Sequence, residues 1–157
     1  MTPPQPVTVT IDVPQPRHAV YEYLDVMANH EAFTDHMLTN WRVSGPATGV
    51  GSKANVTTKA GGMTDEAEIE VFEVEPGRMI RERSIGAKGK RVAHGTYTLS
   101  DRPDGGTHIE FEFALQKVPA IERPLLPLMR KMVRKGNETA MQRLAAQLAD
   151  GQAAKAA

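Results

Sequence analysis

The stretch with the most chemical potential is Arg78–Ser84, where charges alternate along what reads as a β-strand. Successive strand side chains point to opposite faces, so Met79, Arg81 and Arg83 share one face and Ile80, Glu82 and Ser84 the other. Whichever face is inward, a charge points toward the buried side of a sheet, which is costly unless the charge is paired. A position near an edge, or a salt bridge to Asp65 or Glu68, resolves this structurally. The chemical resolution is an arginine, Arg81, on the floor of a cavity, holding an enolate, carboxylate or phenolate through bidentate hydrogen bonds.

The five histidines are the other groups that titrate near neutrality. His36 falls on the same helical side as Phe33 and Met37, which places it best for the mouth of a cavity. His94 alternates against Tyr97 and Leu99, and His108 against Ile109, so both read as outward-facing. His30 and His36 are six positions apart and do not share a helical face, and no HxH or HExxH pattern exists. With no cysteine in the chain, neither a metal site, a disulfide nor thiolate chemistry is expected. Gly49–Gly51 is too short for a phosphate-binding glycine motif, and no serine lies in a nucleophile-elbow context. No cofactor is expected.

A third candidate is a stripe of small residues on a long C-terminal helix. Met129, Val133, Gly136, Ala140, Leu144 and Leu148 recur at three- and four-residue steps. A glycine inside a helix costs ~1 kcal/mol relative to alanine, so Gly136 requires a compensating gain. Close approach of helix to sheet is one such gain. Space for a ligand is the other, with Met129, Met132 and Met63 as adaptable walls. The cations Arg130, Lys131, Arg134 and Lys135 lie off the stripe and read as a solvated outer patch.

The elements that must position these residues follow from periodicity. Val7, Val9, Ile11 and Val13 alternate with polar residues as in a half-buried strand. Pro14 and Pro16 end it, and two short helices follow, from Arg17 and from about Asn29. Six more strands are predicted at Trp41–Ser44, Lys53–Ala60, Met63–Val71, Arg78–Ser84, Arg91–Ser100 and Thr107–Gln116. They are joined by glycine and proline turns such as Gly61-Gly62 and Pro76-Gly77. The helix is predicted over Leu128–Ala149, about 33 Å long. This reads as one α+β domain over 7–149, with a flexible lead at 1–6 and a disordered tail at 150–157. The sheet must bury its apolar face against the one large apolar helix.

Composition narrows the function. The 157 residues carry zero formal net charge, so no overall attraction to nucleic acid exists. No segment has the ~18 uninterrupted apolar residues of a membrane span, and the N-terminus lacks the pattern of a signal peptide. A cytoplasmic protein, monomeric or homodimeric and without stable membrane insertion, is the expectation.

Several local features resemble the START-like, or polyketide cyclase/dehydrase, superfamily (SRPBCC), which includes birch-pollen-allergen-like proteins. They are the strand-to-helix passage Ile11–Pro14, the turn Gly49–Ser52, the hairpin Val74–Arg78, Tyr97–Leu99, and Gly106–Ile109 opening the last strand. The resemblance spans roughly Val7 to Leu148. It implies a helix-grip fold, a curved seven-stranded antiparallel sheet around the C-terminal helix, with two short helices after the first strand. It further implies a cavity between sheet and helix for a hydrophobic or aromatic small molecule, lipid or polyketide-like. Phe33 and Trp41 would sit at its rim, and Met37, Met63, Ile69, Phe111, Met129, Met132, Gly136 and Ala140 would line it. Binding of such a ligand is the leading expectation, with Arg81, Tyr97 and His36 orienting its polar ends. The alternatives are a polyketide cyclase or aromatase-like enzyme, in which those three residues stabilise an enolate and move protons, and a partner-binding or stress-regulatory module acting through its surface.

Overall fold

The computed structural model describes residues 4–60 and 62–156. The first three residues of the expected flexible lead, Gly61 of the hairpin and the final Ala157 lie outside that set. Among the described residues there are seven strands: β1 (Val7–Val13), β2 (Leu38–Ser44), β3 (Lys53–Ala60), β4 (Met63–Glu75), β5 (Met79–Gly86), β6 (Arg91–Asp101) and β7 (Thr107–Lys117). They form one antiparallel sheet in the order β1-β7-β6-β5-β4-β3-β2. Between β1 and β2 lie α1 (Arg17–Asp25), a 3-10 turn (Met27–His30) and a single helical turn, α2 (Glu31–Thr34). A further 3-10 turn (Ala120–Leu125) leads into the long helix α3 (Leu126–Ala156).

Alternation drives the sheet. Val7, Val9 and Val13 of β1, Ile69 and Val71 of β4, and Ile109, Phe111 and Leu115 of β7 are all buried, while their strand neighbours are not. The chain reverses between β3 and β4 at Gly62, whose φ of 80° belongs to the left-handed region that glycine enters without strain.

Helix boundaries differ from expectation. α3 begins at Leu126 because Pro127 sits in its first turn, where the missing N–H has no helical partner to lose. It runs past Gly151 to Ala156, where an expected disordered tail instead continues as helix, in keeping with the alanine-rich composition there. The short helix expected from Asn29 stops at Thr34, so His36 and Met37 lie in the turn before β2.

The two edge strands of the sheet are β1 and β2, and α3 bridges the gap between them. On one side the Arg130 and Arg134 guanidinium groups donate to the carbonyls of Gln5 and Thr8, at 3.0 and 3.2 Å. Arg134 therefore covers part of the unpaired edge of β1 and Arg130 the segment before it, both from the solvent side, where Lys131 and Lys135 are also exposed. On the other side His36 Nε2–H donates to the Gly136 carbonyl at 2.9 Å, and Arg143 pairs with Asp35. Sheet and helix together enclose one core, in which α3 contributes Ala140, Met141, Leu144 and Leu148.

Candidate functional site

The strand β5 resolves the charge problem set by its sequence. Ile80 and Glu82 face the enclosed side, whereas Met79, Arg81 and Arg83 face out. Arg81 pairs with Glu73 at 2.9 Å on the outer surface. The Arg81 and Arg83 guanidinium carbons lie 5.3 and 4.6 Å from the centroid of Phe72, also on that face. The expectation that Arg81 forms a cavity floor is thus corrected. Its place inside is taken by Glu82, which is only 9% exposed.

Room for Glu82 comes from Gly95, its register partner on β6. A Cβ on Gly95 would meet the Phe111 ring at 3.0 Å and the Glu82 Cγ at 3.3 Å. The absent side chain lets a carboxylate stem and an aromatic ring share one patch of sheet. Phe111 in turn stacks against Tyr97, with ring centroids 4.5 Å apart.

His30 completes the cluster from the opposite wall. The 3-10 turn after α1 buries it, and its ring packs against Phe33, Tyr97 and Trp41 at centroid distances of 5.2, 5.8 and 6.3 Å. Its Nε2 lies 2.7 Å from the Leu24 carbonyl, and its own carbonyl accepts from the Thr34 hydroxyl. The Nδ1 atom is 4.0 Å from Glu82 Oε2. Glu82 Oε2 is buried with no hydrogen-bond partner.

Burial sets the electrostatics. It pushes the Glu82 carboxyl up to about 7 and the His30 imidazole down, because an apolar surrounding disfavours both charged forms. The Tyr97 phenol is pushed up by burial and then by the neighbouring Glu82 charge. This cluster sets a carboxyl group whose burial favours its neutral form beside an imidazole and a phenol. Such a set can exchange protons or bind a polar group inside an apolar enclosure.

The other predicted residues fall into three places. Tyr97, Phe33, Ile69 and Phe111 are buried in the core, and half-buried Trp41 packs against it. His36, Met37 and Gly136 form the seam between α3 and the turn into β2. There a Cβ on Gly136 would collide with Met37 Sδ. The glycine accommodates a methionine, so close approach is the gain that offsets it and no void lies at this point. Ala140 is buried one turn further on.

Met63 is 77% exposed at a hairpin tip, and Met132 is exposed as well. With half-buried Met129 they belong to the end of the molecule where α3 starts. No residue of α3 before Asn137 is buried, and Ile121, Leu125 and Leu128 are exposed there. Arg91 fastens this end by donating to Asp65 at 3.1 Å and to both carboxylate oxygens of Glu122. A surface hollow of about 530 Å³ at this end is lined by residues including Lys90, Val118 and Ile121. Another, of about 350 Å³, lies between Thr57, Asp65 and Lys88. Neither is lined by residues of α3.

Sequence reasoning missed His30 as a site residue. Its spacing from other polar residues carries no signal, and only the fold brings it against β5 and β6. Glu82 was visible as one horn of the β5 dilemma. Among the described residues no cluster of three or more His, Asp or Glu side chains is arranged to hold a metal ion, and no helix is long and apolar enough to cross a membrane.

A seven-stranded antiparallel sheet gripping a long C-terminal helix around an aromatic and carboxyl core defines a helix-grip protein. The family described as polyketide cyclase / dehydrase and lipid transport matches residues 4–149. The chain belongs to that family. Among solved structures it is similar to TTHA0849 from Thermus thermophilus, with a TM-score of 0.76 and 16% identity over 94% of this chain and 99% of that one. It is also similar to the Zhui aromatase/cyclase from Streptomyces sp. R1128, with a TM-score of 0.74 and 13% identity over 92% and 93% of the two chains. The likeness extends to Ara h 8.0201, with a TM-score of 0.64 and 10% identity over 93% and 98%. No curated protein sequence matches the chain.

Proposed function

We propose that this protein binds an apolar small molecule, which enters beneath the first half of α3 and places its polar end at Glu82 and His30. The observation that carries this reading is the buried, unpartnered Glu82 Oε2. A polar atom held away from water costs on the order of 1–3 kcal/mol when it lacks a partner. A ligand that supplies the partner recovers that cost on binding. The exposed apolar residues Ile121, Leu125 and Leu128 support entry at this end, where Gly86, the partner of Arg91, closes β5 about 13 Å along the strand from Glu82. Family membership supports the same class of ligand, and the aromatic walls Phe33, Trp41, Tyr97 and Phe111 suit a flat or chain-like molecule.

The test is titration with Nile red, an uncharged apolar dye. Saturable binding is expected in the unaltered protein. Val133→Trp, which adds bulk at a half-buried position in the first half of α3, should weaken it by at least about tenfold while circular dichroism stays unchanged. Absence of saturable dye binding by folded protein defeats the reading.

A second reading, acid–base catalysis of ring closure in a poly-β-ketone, is favoured by one observation, a carboxyl group titrating at about 7 beside His30. Turnover of such a substrate, lost in Glu82→Gln, would support it. Its absence would leave binding alone.

A further inference from the structure

Building on the ligand-binding reading, we infer that the ligand's polar end is a hydrogen-bond donor (an alcohol, phenol or alkylammonium) and that carboxylate amphiphiles are rejected. The geometry is that of two acceptors facing one point. A carbonyl oxygen only accepts, so the 2.7 Å contact with Leu24 places the proton of neutral His30 on Nε2. Nδ1 is therefore the unprotonated ring nitrogen, and its 4.0 Å separation from Glu82 Oε2 is too long for a direct hydrogen bond. An ammonium nitrogen set off the line joining them, about 2.9 Å from each, donates to both. A hydroxyl donates to Nδ1 and accepts from Glu82 when that group is protonated. A carboxylate brings only further acceptors and a charge of the wrong sign.

The surroundings reinforce the selection. Among the described residues no lysine or arginine is buried. The arginines of β5 are spent on the outer face against Glu73 and Phe72. Asp25, at the end of α1, adds negative potential at His30. Tyr97 from β6 contributes a neutral phenol, its ionisation pushed still higher by burial. Val71 of β4 and Phe111 of β7 present apolar groups, and the buried polar residue of α3 is uncharged Asn137. An anion entering here finds no cation and one carboxyl group whose ionisation it opposes, whereas a cation is compensated by Glu82.

The experiment is displacement of Nile red from the full chain by decylamine, decanol and decanoate, which share one chain length and differ in head group. At pH 8, decylamine should displace the dye at a concentration at least about tenfold below that of decanoate, with decanol between them. Raising the pH from 6 to 8 should widen the gap as Glu82 ionises. In Glu82→Gln the ratio of decanoate to decylamine should fall below about threefold. Decanoate matching decylamine in the unaltered protein overturns the inference while leaving ligand binding intact. Failure of Nile red itself to bind removes the reading on which the inference rests.

Discussion

His30 Nδ1 and Glu82 Oε2 face each other across 4.0 Å, inside an enclosure walled by Phe33, Trp41, Tyr97 and Phe111. Each is held from behind. The Leu24 carbonyl fixes the imidazole, and the missing side chain of Gly95 admits the carboxylate stem. Residues far apart in sequence thus become one chemical unit, and its protonation couples to the stability of the fold.

The first consequence is a pH dependence with a definite sign. Glu82 titrates near 4.5 in the unfolded chain and about 7 in the folded one. Its contribution is fully present below pH 4.5 and is lost as pH rises to about 7, because the unfolded state ionises first. The loss is on the order of 3 kcal/mol. His30, with its folded value lowered from 6.5, acts in the opposite sense, and its contribution is lost as pH falls below that value. Urea unfolding from acid to mildly alkaline pH should therefore show Glu82→Gln gaining stability over the unaltered protein as pH rises. A pH-independent difference between the two would contradict the burial of an ionisable carboxyl.

The second concerns Gly136. Replacement by leucine drives a side chain into Met37, whose sulfur already occupies the space a Cβ would need. Overpacking of this kind costs about 1–3 kcal/mol. Met37→Ala in the same chain should recover most of that loss, since the two residues share one contact. Chemical denaturation of the two single variants and the double variant measures the coupling. Simple additivity would mean that the seam is looser than the structure describes.

The third concerns Arg81. Its partner Glu73 and its platform Phe72 lie on the outer face, so Arg81→Ala should leave Nile red affinity and head-group preference unchanged. The cost in stability should be no more than about 1 kcal/mol, as for exposed ion pairs. A loss of dye binding by about tenfold in this variant would return Arg81 to the site.

Much of the architecture was legible beforehand because it rests on local periodicity. Alternation in Val7–Val13 and in Thr107–Gln116, the turns at Gly61-Gly62 and Pro76-Gly77, and the three- and four-residue steps along the C-terminal helix each depend on near neighbours in the chain. The same periodicity exposed the conflict in β5, charged residues on both faces, without deciding between Arg81 and Glu82. That choice needed the direction of the sheet's curvature and the position of Gly95 on the adjacent strand.

The amino-acid order by itself determined the alternating strands, their turns, the long helix and the certainty that some charge in β5 would face inward. Only the tertiary structure decided that this charge is Glu82, that His30 meets it, and that Gly136 receives Met37. The reason is physical: a strand's pattern is set by bonds to its neighbours, whereas the cost of a buried group is set by whatever distant residues the closed fold places around it.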